Sequence, residues 1–181
     1  NLGTLGEKWL GAARFARNAV GIFVGTGIGG GIVSEGRLLR GAREAAGEIG
    51  HTVMRMDGPV CSCGARGCLE TLAGRSAIER DIRAAVAAGR RTVLTSLVGP
   101  DLAVIKSGVL RAALDRRDPV TVGVLTRASE VLGLACVNIR HLLDPDVIVL
   151  GGGVVEACGD FMLEIVEKAV AADPLPGALP G

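Results

Sequence analysis

The chain has 181 residues, enough for one domain of ordinary size with its own hydrophobic core. Its 20 Lys and Arg residues nearly balance its 19 Asp and Glu residues. No basic run or aromatic ladder is present to follow a phosphate backbone, so nucleic acid is not an expected partner of this segment. Apolar runs such as Val147–Leu150 are too short to span a bilayer, and no signal-peptide pattern opens the chain. We therefore expect no membrane partner and a cytoplasmic location.

The first half of the chain predicts one helix followed by strands. A helix is expected over Leu2–Phe15, where apolar residues recur at three-to-four spacing. The apolar runs Ala19–Val24 and Gly31–Ser34 predict two strands joined by a glycine turn. Residues Arg40–Gly50 have the composition of a loop, and His51–Met56 is the candidate for a further strand. Strand hairpins are thus expected early in the chain.

The second half predicts mainly helices with one late strand between them. Pro119 suits the first turn of a helix, and the segment Asp144-Pro145-Asp146 ends one. The expected elements are helices over Glu70–Ala88 with an interruption at Gly74, Asp101–Leu114, Pro119–Leu143 and Ala157–Ala172, and a buried strand over Val147–Leu150. The tail Pro174–Pro180 has the composition of a loop rather than of a true carboxyl terminus. We expect both ends of the chain to be truncated.

Three of the five cysteines crowd into Cys61–Cys68, which suits a metal better than a disulfide framework and fits a reducing compartment. Together with His51 they offer three thiols and one imidazole. Zinc favours these ligands, and four protein ligands would close its tetrahedral coordination as a structural ion. The alternatives are free buried cysteines, or a strained Cys61–Cys63 disulfide that leaves Cys68 unpaired. The predicted zinc ligands are His51, Cys61, Cys63 and Cys68.

A glycine-rich segment, Gly25–Gly31, follows the first strand and contains a G-x-G-x-x-G match. The dinucleotide-binding fingerprint needs a helix directly afterwards, whereas a strand follows here, and the Lys of a Walker-type loop is missing. What remains is a hairpin turn whose bare amides, with the Thr26 hydroxyl, could bind phosphate oxygens. An ordinary glycine-rich hairpin is the alternative. The candidate nucleotide-binding residues in this segment are Gly25, Thr26, Gly27, Gly29 and Gly30.

A second glycine group follows the late strand and comes shortly before a helix. Backbone N–H groups at the start of a helix favour anions, and glycine allows a ligand to approach the backbone closely. The arrangement of strand, glycine turn and helix therefore predicts a second part of a nucleotide site. Its candidate residues are Gly151, Gly152 and Gly153.

Two carboxylates are close in sequence to the cysteine loop. Glu48 precedes His51 by three residues, and Glu70 follows Cys68 by two. Carboxylates beside a rigid loop can accept hydrogen bonds from sugar hydroxyls, and a metal-bound imidazole can donate from its other ring nitrogen. Taken singly, Glu70 is better explained as an acid at a helix amino terminus, and Glu48 as a surface loop acid. Together, Glu48, His51 and Glu70 are the candidate sugar-binding residues.

The segments Ala46–His51 and Cys61–Glu70 resemble the ROK family of repressors, open reading frames and sugar kinases. The glycines of Gly25–Gly31 and the segment Asp144–Gly153 extend the resemblance over essentially the whole chain, with most similarity to bacterial glucokinases. It implies an α/β lobe of the actin-like ATPase (ribonuclease H-like) fold with a zinc-binding loop. Residues 1–181 would be the carboxyl-terminal sugar- and nucleotide-binding lobe, without the amino-terminal lobe and the last helices.

The resemblance also implies ligands, partners and residue roles. ATP with Mg²⁺ would bind in the cleft between two lobes, with a hexose beside it, and a homodimer is the family expectation. The zinc would be held by the four ligands named above. Glu48, His51 and Glu70 would bind sugar hydroxyls, while the turn at Gly25–Gly31 would face the phosphates and Gly151–Gly153 would approach the nucleotide.

The implied activity is ATP-dependent phosphorylation of a hexose, in particular of glucose to glucose 6-phosphate. Family kinases remove the hydroxyl proton with the Asp of an Asn-Asp-x-Asn motif, and Asn1 resembles the last residue of that motif. The base is then expected just before Asn1, so no catalytic residue is assigned in this chain, which is expected to be inactive alone.

Two other functions remain open. The first is a sugar-sensing transcriptional repressor of the same family, whose DNA-binding domain would precede this segment. The intact turn at Gly25–Gly31 favours the kinase, because a sensor has no need to bind phosphate. The second is a zinc-stabilised structural module without a ligand. The sequence fixes neither the hexose nor the choice between ATP and polyphosphate.

Overall fold

A four-stranded mixed sheet organises the chain in the computed structural model, which describes residues 2–175. The strands are β1 (Ala19–Val24), β2 (Ile28–Ser34), β3 (Arg37–Leu38) and β4 (Val147–Gly151). Their order across the sheet is β3-β2-β1-β4. Strand β1 pairs antiparallel with β2 and parallel with β4, so β1 and β4 end at the same edge of the sheet.

Seven helices and one short 3₁₀ turn complete the described part of the chain. The helices are α1 (Leu2–Leu10), α2 (Leu69–Ala73), α3 (Arg75–Ala87), α4 (Leu94–Val98), α5 (Ser107–Asp115), α6 (Pro119–Leu143) and α7 (Gly153–Ala171), and the 3₁₀ turn covers Ile49–His51. Asn1, and with it the predicted motif residue, lies outside the described residues. The predicted tail loop does too, except for its first two residues.

The two faces of the sheet are covered by different layers. Alternate residues of β1, such as Ile22, enter the main core with α2, α6 and α7, whereas Ala19 belongs to a small cluster on the opposite face. Helix α1 lies against β1 and β2 on that second face. A Cβ at Gly21 would come within 2.5 Å of Thr4 Oγ1, so the glycine permits this close approach.

Helix α6 is the central helix of the main core. Asp118 caps its amino terminus, Pro119 occupies its first turn, and Asp144 ends it in the left-handed conformation with φ of 41°. By length and composition alone α6 could cross a membrane, but 56% of its most apolar window is buried inside the fold. It packs against α2, α3 and α7, which is the arrangement of a core helix.

Two predicted boundaries near the start of the chain are wrong. The first helix ends at Leu10 instead of Phe15, because the Glu7 carboxylate accepts a hydrogen bond from the Ala12 amide and the chain turns there. Strand β2 begins at Ile28 and not at Gly31. Its glycines lack the side chains from which a strand pattern is recognised, yet they pair regularly with β1.

The predicted strand at His51–Met56 is also wrong. Only Val53 forms an isolated bridge, with Cys68, and the amides of Met54 and Arg55 both donate to the Gly67 carbonyl. This segment therefore folds around the cysteine loop instead of joining the sheet.

The helix predicted over Asp101–Leu114 begins at Ser107, and the short α4 was not predicted. The residues before α5 are held outside a helix because the Arg83 guanidinium donates to the carbonyls of Leu102 and Ala103. At the other end of the chain, α7 begins at Gly153, four residues before its predicted start.

Candidate functional site

The cysteine loop is shaped by glycines, at positions where the backbone conformation or a close neighbour disfavours a side chain. Gly64 and Gly67 have φ of 91° and 71°, in the left-handed region. A Cβ at Gly67 would lie 1.6 Å from the Arg55 carbonyl oxygen. Hydrogen bonds from the Cys61 amide to the Ala65 carbonyl and from the Gly64 amide to the Cys61 carbonyl close the turn. The loop thus turns its cysteines toward one another.

The four predicted metal ligands come together. The donor atoms of His51, Cys61, Cys63 and Cys68 all lie within 4.8 Å of one another, and the three thiols are free. Cys61 Sγ is 3.4 Å from His51 Nδ1, and Cys63 Sγ is 3.7 Å from Cys68 Sγ. A tetrahedral zinc would place two sulfurs about 3.8 Å apart, and a sulfur and a nitrogen about 3.5 Å apart. The chemistry and spacing of the donors therefore fit a metal ion.

The thiols of this cluster differ in their ease of ionisation. Burial raises the pKa of the Cys68 thiol to about 12, and its thiol neighbours add to the effect. A hydrogen bond from the Ala65 backbone is the main cause that lowers the pKa of the exposed Cys63 thiol. Metal ligands are thiolates, so the buried Cys68 needs a cation to become charged.

Glu70 links the cysteine loop to the sheet. It lies in the first turn of α2, and its Oε2 accepts a hydrogen bond of 3.1 Å from the Ile28 amide at the start of β2. Its Oε1 lies 3.7 Å from Cys61 Sγ and 3.5 Å from Ser62 Oγ. A Cβ at Gly27 would lie 1.9 Å from Oε2, so the glycine makes room for the carboxylate.

Glu48 lies directly before the 3₁₀ turn that carries His51. Its carbonyl accepts the His51 amide at 3.0 Å, while its exposed carboxylate makes no hydrogen bond or ion pair within residues 2–175. The turn packs on the start of β2, since a Cβ at Gly50 would lie 1.9 Å from the Ile28 carbonyl oxygen. Glu48, His51 and Glu70 thus lie on two segments that both meet Ile28.

The first glycine turn is shorter than the sequence predicts. Gly25, Thr26 and Gly27 form the turn, which the Gly25 amide closes by donating to the Gly27 carbonyl at 2.9 Å. Gly29 and Gly30 lie in β2, paired with Phe23 and Ile22.

The amino terminus of α3 supports this turn. The amides of Arg75 and Ser76 donate to the carbonyls of Gly25 and Thr26 at 2.9 and 3.0 Å. The amides of Thr26 and Gly27 donate to no acceptor in the described part of the chain. They are therefore available to a ligand.

The second glycine group lies beside the first. Gly151 ends β4, Gly152 has φ of 88°, and Gly153 begins α7. A Cβ at Gly152 would lie 2.8 Å from the Val24 backbone, so this glycine brings the two chain segments together. Because β1 and β4 are parallel, both turns lie at the edge where their strands end. The positive end of the α7 dipole favours an anion there.

Arg75 is a site residue that the sequence patterns do not predict. Its Nη2 donates to Thr26 Oγ1 at 2.8 Å, across 49 positions of the chain. The only local signal is an Arg that follows Gly74 at a helix start, which gives no direction to the side chain.

The chain matches the ROK family model over residues 1–173. It is 39% identical over 187 residues to a protein named glucokinase from Halalkalibacterium halodurans, covering 100% of this chain and 54% of the relative. An N-acetylmannosamine kinase from Vibrio cholerae is 34% identical over 157 residues, covering 87% and 48% of the two chains. A putative xylose repressor from Caldicellulosiruptor sp. is 33% identical over 171 residues, covering 94% and 42%. The chain spans about half the length of the curated relatives it matches.

Solved structures with the same fold include kinases and a regulator. The ROK hexokinase from Thermus thermophilus has a TM-score of 0.79 and 34% identity, over 94% of this chain and 54% of that one. A ROK family glucokinase from Streptomyces griseus in complex with glucose and AMPPNP has a TM-score of 0.81 and 32% identity, over 91% and 53%. A ROK family transcriptional regulator, a homolog of the E. coli MLC protein, has a TM-score of 0.83 and 32% identity, over 96% and 42%.

These likenesses confirm the α/β fold of the actin-like ATPase type that the resemblance implied. The family match extends from the first residue to Asp173 and includes the cysteine loop and both glycine turns. The chain therefore belongs to the ROK family.

Proposed function

We propose that this chain is the sugar- and nucleotide-binding lobe of a hexose kinase that transfers the γ-phosphate of ATP to a hexose, with glucose as the first substrate to test. The observation that carries the proposal is the position of Glu70, whose carboxylate contacts the cysteine loop and accepts the Ile28 amide directly after the glycine turn. One side chain thus adjoins both a candidate sugar site and a candidate phosphate site. Relatives named glucokinase support the choice of glucose.

In this proposal Glu48, His51 and Glu70 hold the sugar. Carboxylates accept hydrogen bonds from hydroxyls, and the exposed Glu48 carboxylate has its acceptor oxygens available. His51 Nδ1 faces Cys61, while Nε2 has no partner among the described residues and can donate to a hydroxyl. Two acceptors and one donor on rigid segments would fix the orientation of a hexose.

We propose zinc as the metal of the cysteine cluster. Three thiolates and one imidazole suit zinc, and four protein ligands would leave no position for a reacting water. When bound, the ion would cross-link the loop and stabilise its conformation. The residues of the loop would then hold His51 in position for the sugar, while the Ile28 amide and the Ser62 hydroxyl of the loop hold Glu70.

The two glycine turns would hold the phosphate chain of ATP with its Mg²⁺. The amides of Thr26 and Gly27 are available donors, and the start of α7 adds its dipole. Phosphoryl transfer depends mainly on positioning and on charge stabilisation, which backbone amides supply without reorganisation. Gly29 and Gly30 would act indirectly, as strand residues that fix the end of the turn.

The base that removes the hydroxyl proton is not assigned to any residue of this chain. The family resemblance puts it just before Asn1, which lies outside the described residues. We accordingly propose that residues 1–181 are the carboxyl-terminal lobe of a two-lobed enzyme, and that activity is a property of the full-length protein. We propose that the full-length protein is a cytoplasmic homodimer. Its oligomeric state can be measured by light scattering.

A sugar-sensing repressor is the second candidate function. A putative xylose repressor and a solved transcriptional regulator resemble the chain about as well as the kinases do, and the regulator has the higher TM-score, 0.83 against 0.79 and 0.81 for the two solved kinases. What favours the kinase is the Gly25–Gly27 turn, which keeps two available amides beside a hydroxyl. A sensor that only binds sugar gains nothing from such donors.

The deciding experiment is ADP release by the full-length protein with ATP, Mg²⁺ and separate sugars: glucose, N-acetylmannosamine, N-acetylglucosamine, allose, fructose and xylose. We expect turnover with at least one hexose, and fastest with glucose. Binding of a sugar without ADP release on any of them would contradict the kinase and favour the sensor. Measuring sugar phosphate formation with polyphosphate in place of ATP identifies the donor.

A further inference from the structure

Arg75, the first residue of α3, reaches the glycine turn with both its backbone and its side chain. Its amide donates to the Gly25 carbonyl at 2.9 Å, and its Nη2 donates to Thr26 Oγ1 at 2.8 Å. The side chain is 31% exposed. One residue therefore holds both the backbone and the hydroxyl of the turn.

The guanidinium of Arg75 has an unpaired donor and a charge that is only partly neutralised. Its Nε is buried and has no hydrogen-bond partner within residues 2–175. Glu79 Oε1 lies 3.6 Å from this Nε, too far for a hydrogen bond, and the other Glu79 oxygen accepts from Arg83 Nη2 at 3.0 Å. Because Glu79 is shared between two arginines, it offsets the charge of Arg75 only in part. A positive charge remains beside the turn.

The bond from Arg75 also sets the direction of the Thr26 hydroxyl. Thr26 Oγ1 acts as the acceptor in this bond, so its own proton points away from the guanidinium. Thr26 is exposed, and its amide and that of Gly27 are available. The turn thus offers two N–H donors and one O–H donor next to a positive charge, which is the chemistry that binds phosphate oxygens.

We propose that Arg75 is a positioning residue for the phosphate chain of the nucleotide, acting by orienting the Thr26 hydroxyl and by supplying positive charge at the Gly25–Gly27 turn. This inference rests on the proposed kinase function and deepens it. The recognised group is the phosphate chain of a nucleoside di- or triphosphate.

Titration calorimetry of the full-length protein with ADP and with adenosine tests the inference. R75A is expected to weaken ADP binding about tenfold or more, because a charge-assisted hydrogen bond and a charge are lost, and to leave adenosine binding within about twofold. R75K keeps the charge without the fork of donors, so an intermediate loss is expected. In steady-state kinetics the KM for ATP rises in R75A while the KM for the sugar stays unchanged.

R80A is the matched control on the same helix. Arg80 donates to Asp81 and to the Thr71 carbonyl, away from the turn, and its removal is expected to leave ADP binding unchanged. Equal loss of ADP and adenosine binding in R75A would mean general damage and overturn the inference, as would unchanged ADP affinity. If the wild-type protein binds no ADP, the proposed function fails and takes the inference with it. Wild-type binding with an unaffected R75A overturns the inference alone.

Discussion

Gly27 is the residue where the candidate phosphate turn meets the candidate sugar-binding carboxylate. Gly27→Ala would put a Cβ 1.9 Å from Glu70 Oε2 and displace the carboxylate from the Ile28 amide. We expect hexose phosphorylation by the full-length protein to fall about tenfold or more, since the sugar loses an oriented acceptor. The free energy of unfolding should fall by only about 1–2 kcal/mol, because a flexible side chain can move aside.

Gly108→Ala is the control for this change. A Cβ at Gly108, inside α5, meets nothing within 4 Å. Its kinetics should equal those of the wild-type protein, and its stability should rise slightly because Ala favours a helix over Gly. If Gly27→Ala had the same kcat and the same KM for the sugar as the wild-type protein, the position of the Glu70 carboxylate would not matter for sugar binding.

Cys63 tests the metal assignment. Cys63→Ser removes one of four donors, so the zinc content measured by plasma emission should fall from about one ion per chain to well below one. The thermal midpoint should fall with it, as the loop loses about 2 kcal/mol or more. Cys136→Ala removes a buried thiol outside the cluster and should reduce stability while keeping the zinc. Full zinc content in Cys63→Ser would contradict the four-ligand site.

At the scale of single residues, the sequence predicted those contacts that residue type and spacing specify. The convergence of His51 with the cysteines was predictable, because few other arrangements use three thiols and an imidazole within one loop. Arg75 was not predictable, since its contact with Thr26 depends on how α3 packs against the end of β1. Glu70 was singled out, but its bond to the Ile28 amide was not.

Asp118 holds the start of α6 and the segment before α4. Its buried carboxylate accepts from the amide and hydroxyl of Thr121 at 2.8 Å, and from the Val93 amide and Thr92 hydroxyl at 2.9 Å. Asp118→Ala should therefore lower the free energy of unfolding, measured with denaturant, by about 3 kcal/mol, because the helix loses its cap and buried donors lose their acceptor. Asp115→Ala, which removes an exposed ion pair with Arg111, should cost less than about 1 kcal/mol. Similar losses in both variants would contradict this role.

The Asp118 carboxylate also makes the free energy of unfolding depend on pH. Burial is the largest single effect on its pKa and opposes ionisation, but the hydrogen bonds from Thr121, Val93 and Thr92 outweigh it and lower the pKa below its ordinary value of 3.8. The stabilisation is thus present above that value and is lost as the pH falls through the lower folded pKa. The stability gap between wild type and Asp118→Ala should stay constant above pH 5 and shrink below about pH 4.

Elements with strong end signals were predicted well. The bounds of α6 match the structure because Pro119 and Asp144-Pro145 mark its ends chemically. The start of β2 was missed because Gly29 to Gly31 carry no side-chain pattern, although pairing with β1 makes them a strand. The segment at His51–Met56 has a strand-like composition, but its amides bond to the cysteine loop instead.

The arrangement of the whole molecule depends on pairing that the sequence does not encode locally. The sequence patterns assign both glycine turns to one nucleotide site, but they do not show which strand pairing brings the turns together. The parallel pairing of β1 with β4, which are more than a hundred residues apart, places them at one edge. The 3₁₀ turn and the start of α2 meet this edge at Ile28, so the sugar and phosphate candidates are neighbours. This proximity is what phosphoryl transfer between two bound substrates requires.

The most direct test is the steady-state phosphorylation of glucose by the full-length wild-type protein, Glu48→Gln and Glu44→Gln. Glu44 is an exposed acid in the same loop, paired with Arg40, and serves as the matched control. We predict turnover in the wild type and in Glu44→Gln, and a loss of about a hundredfold or more in kcat/KM for Glu48→Gln, because Gln replaces one of the two acceptor oxygens by a donor and removes the negative charge that strengthens a hydroxyl hydrogen bond. The account would be contradicted if Glu48→Gln phosphorylated glucose as fast as the wild-type protein, or if the wild-type protein did not phosphorylate glucose.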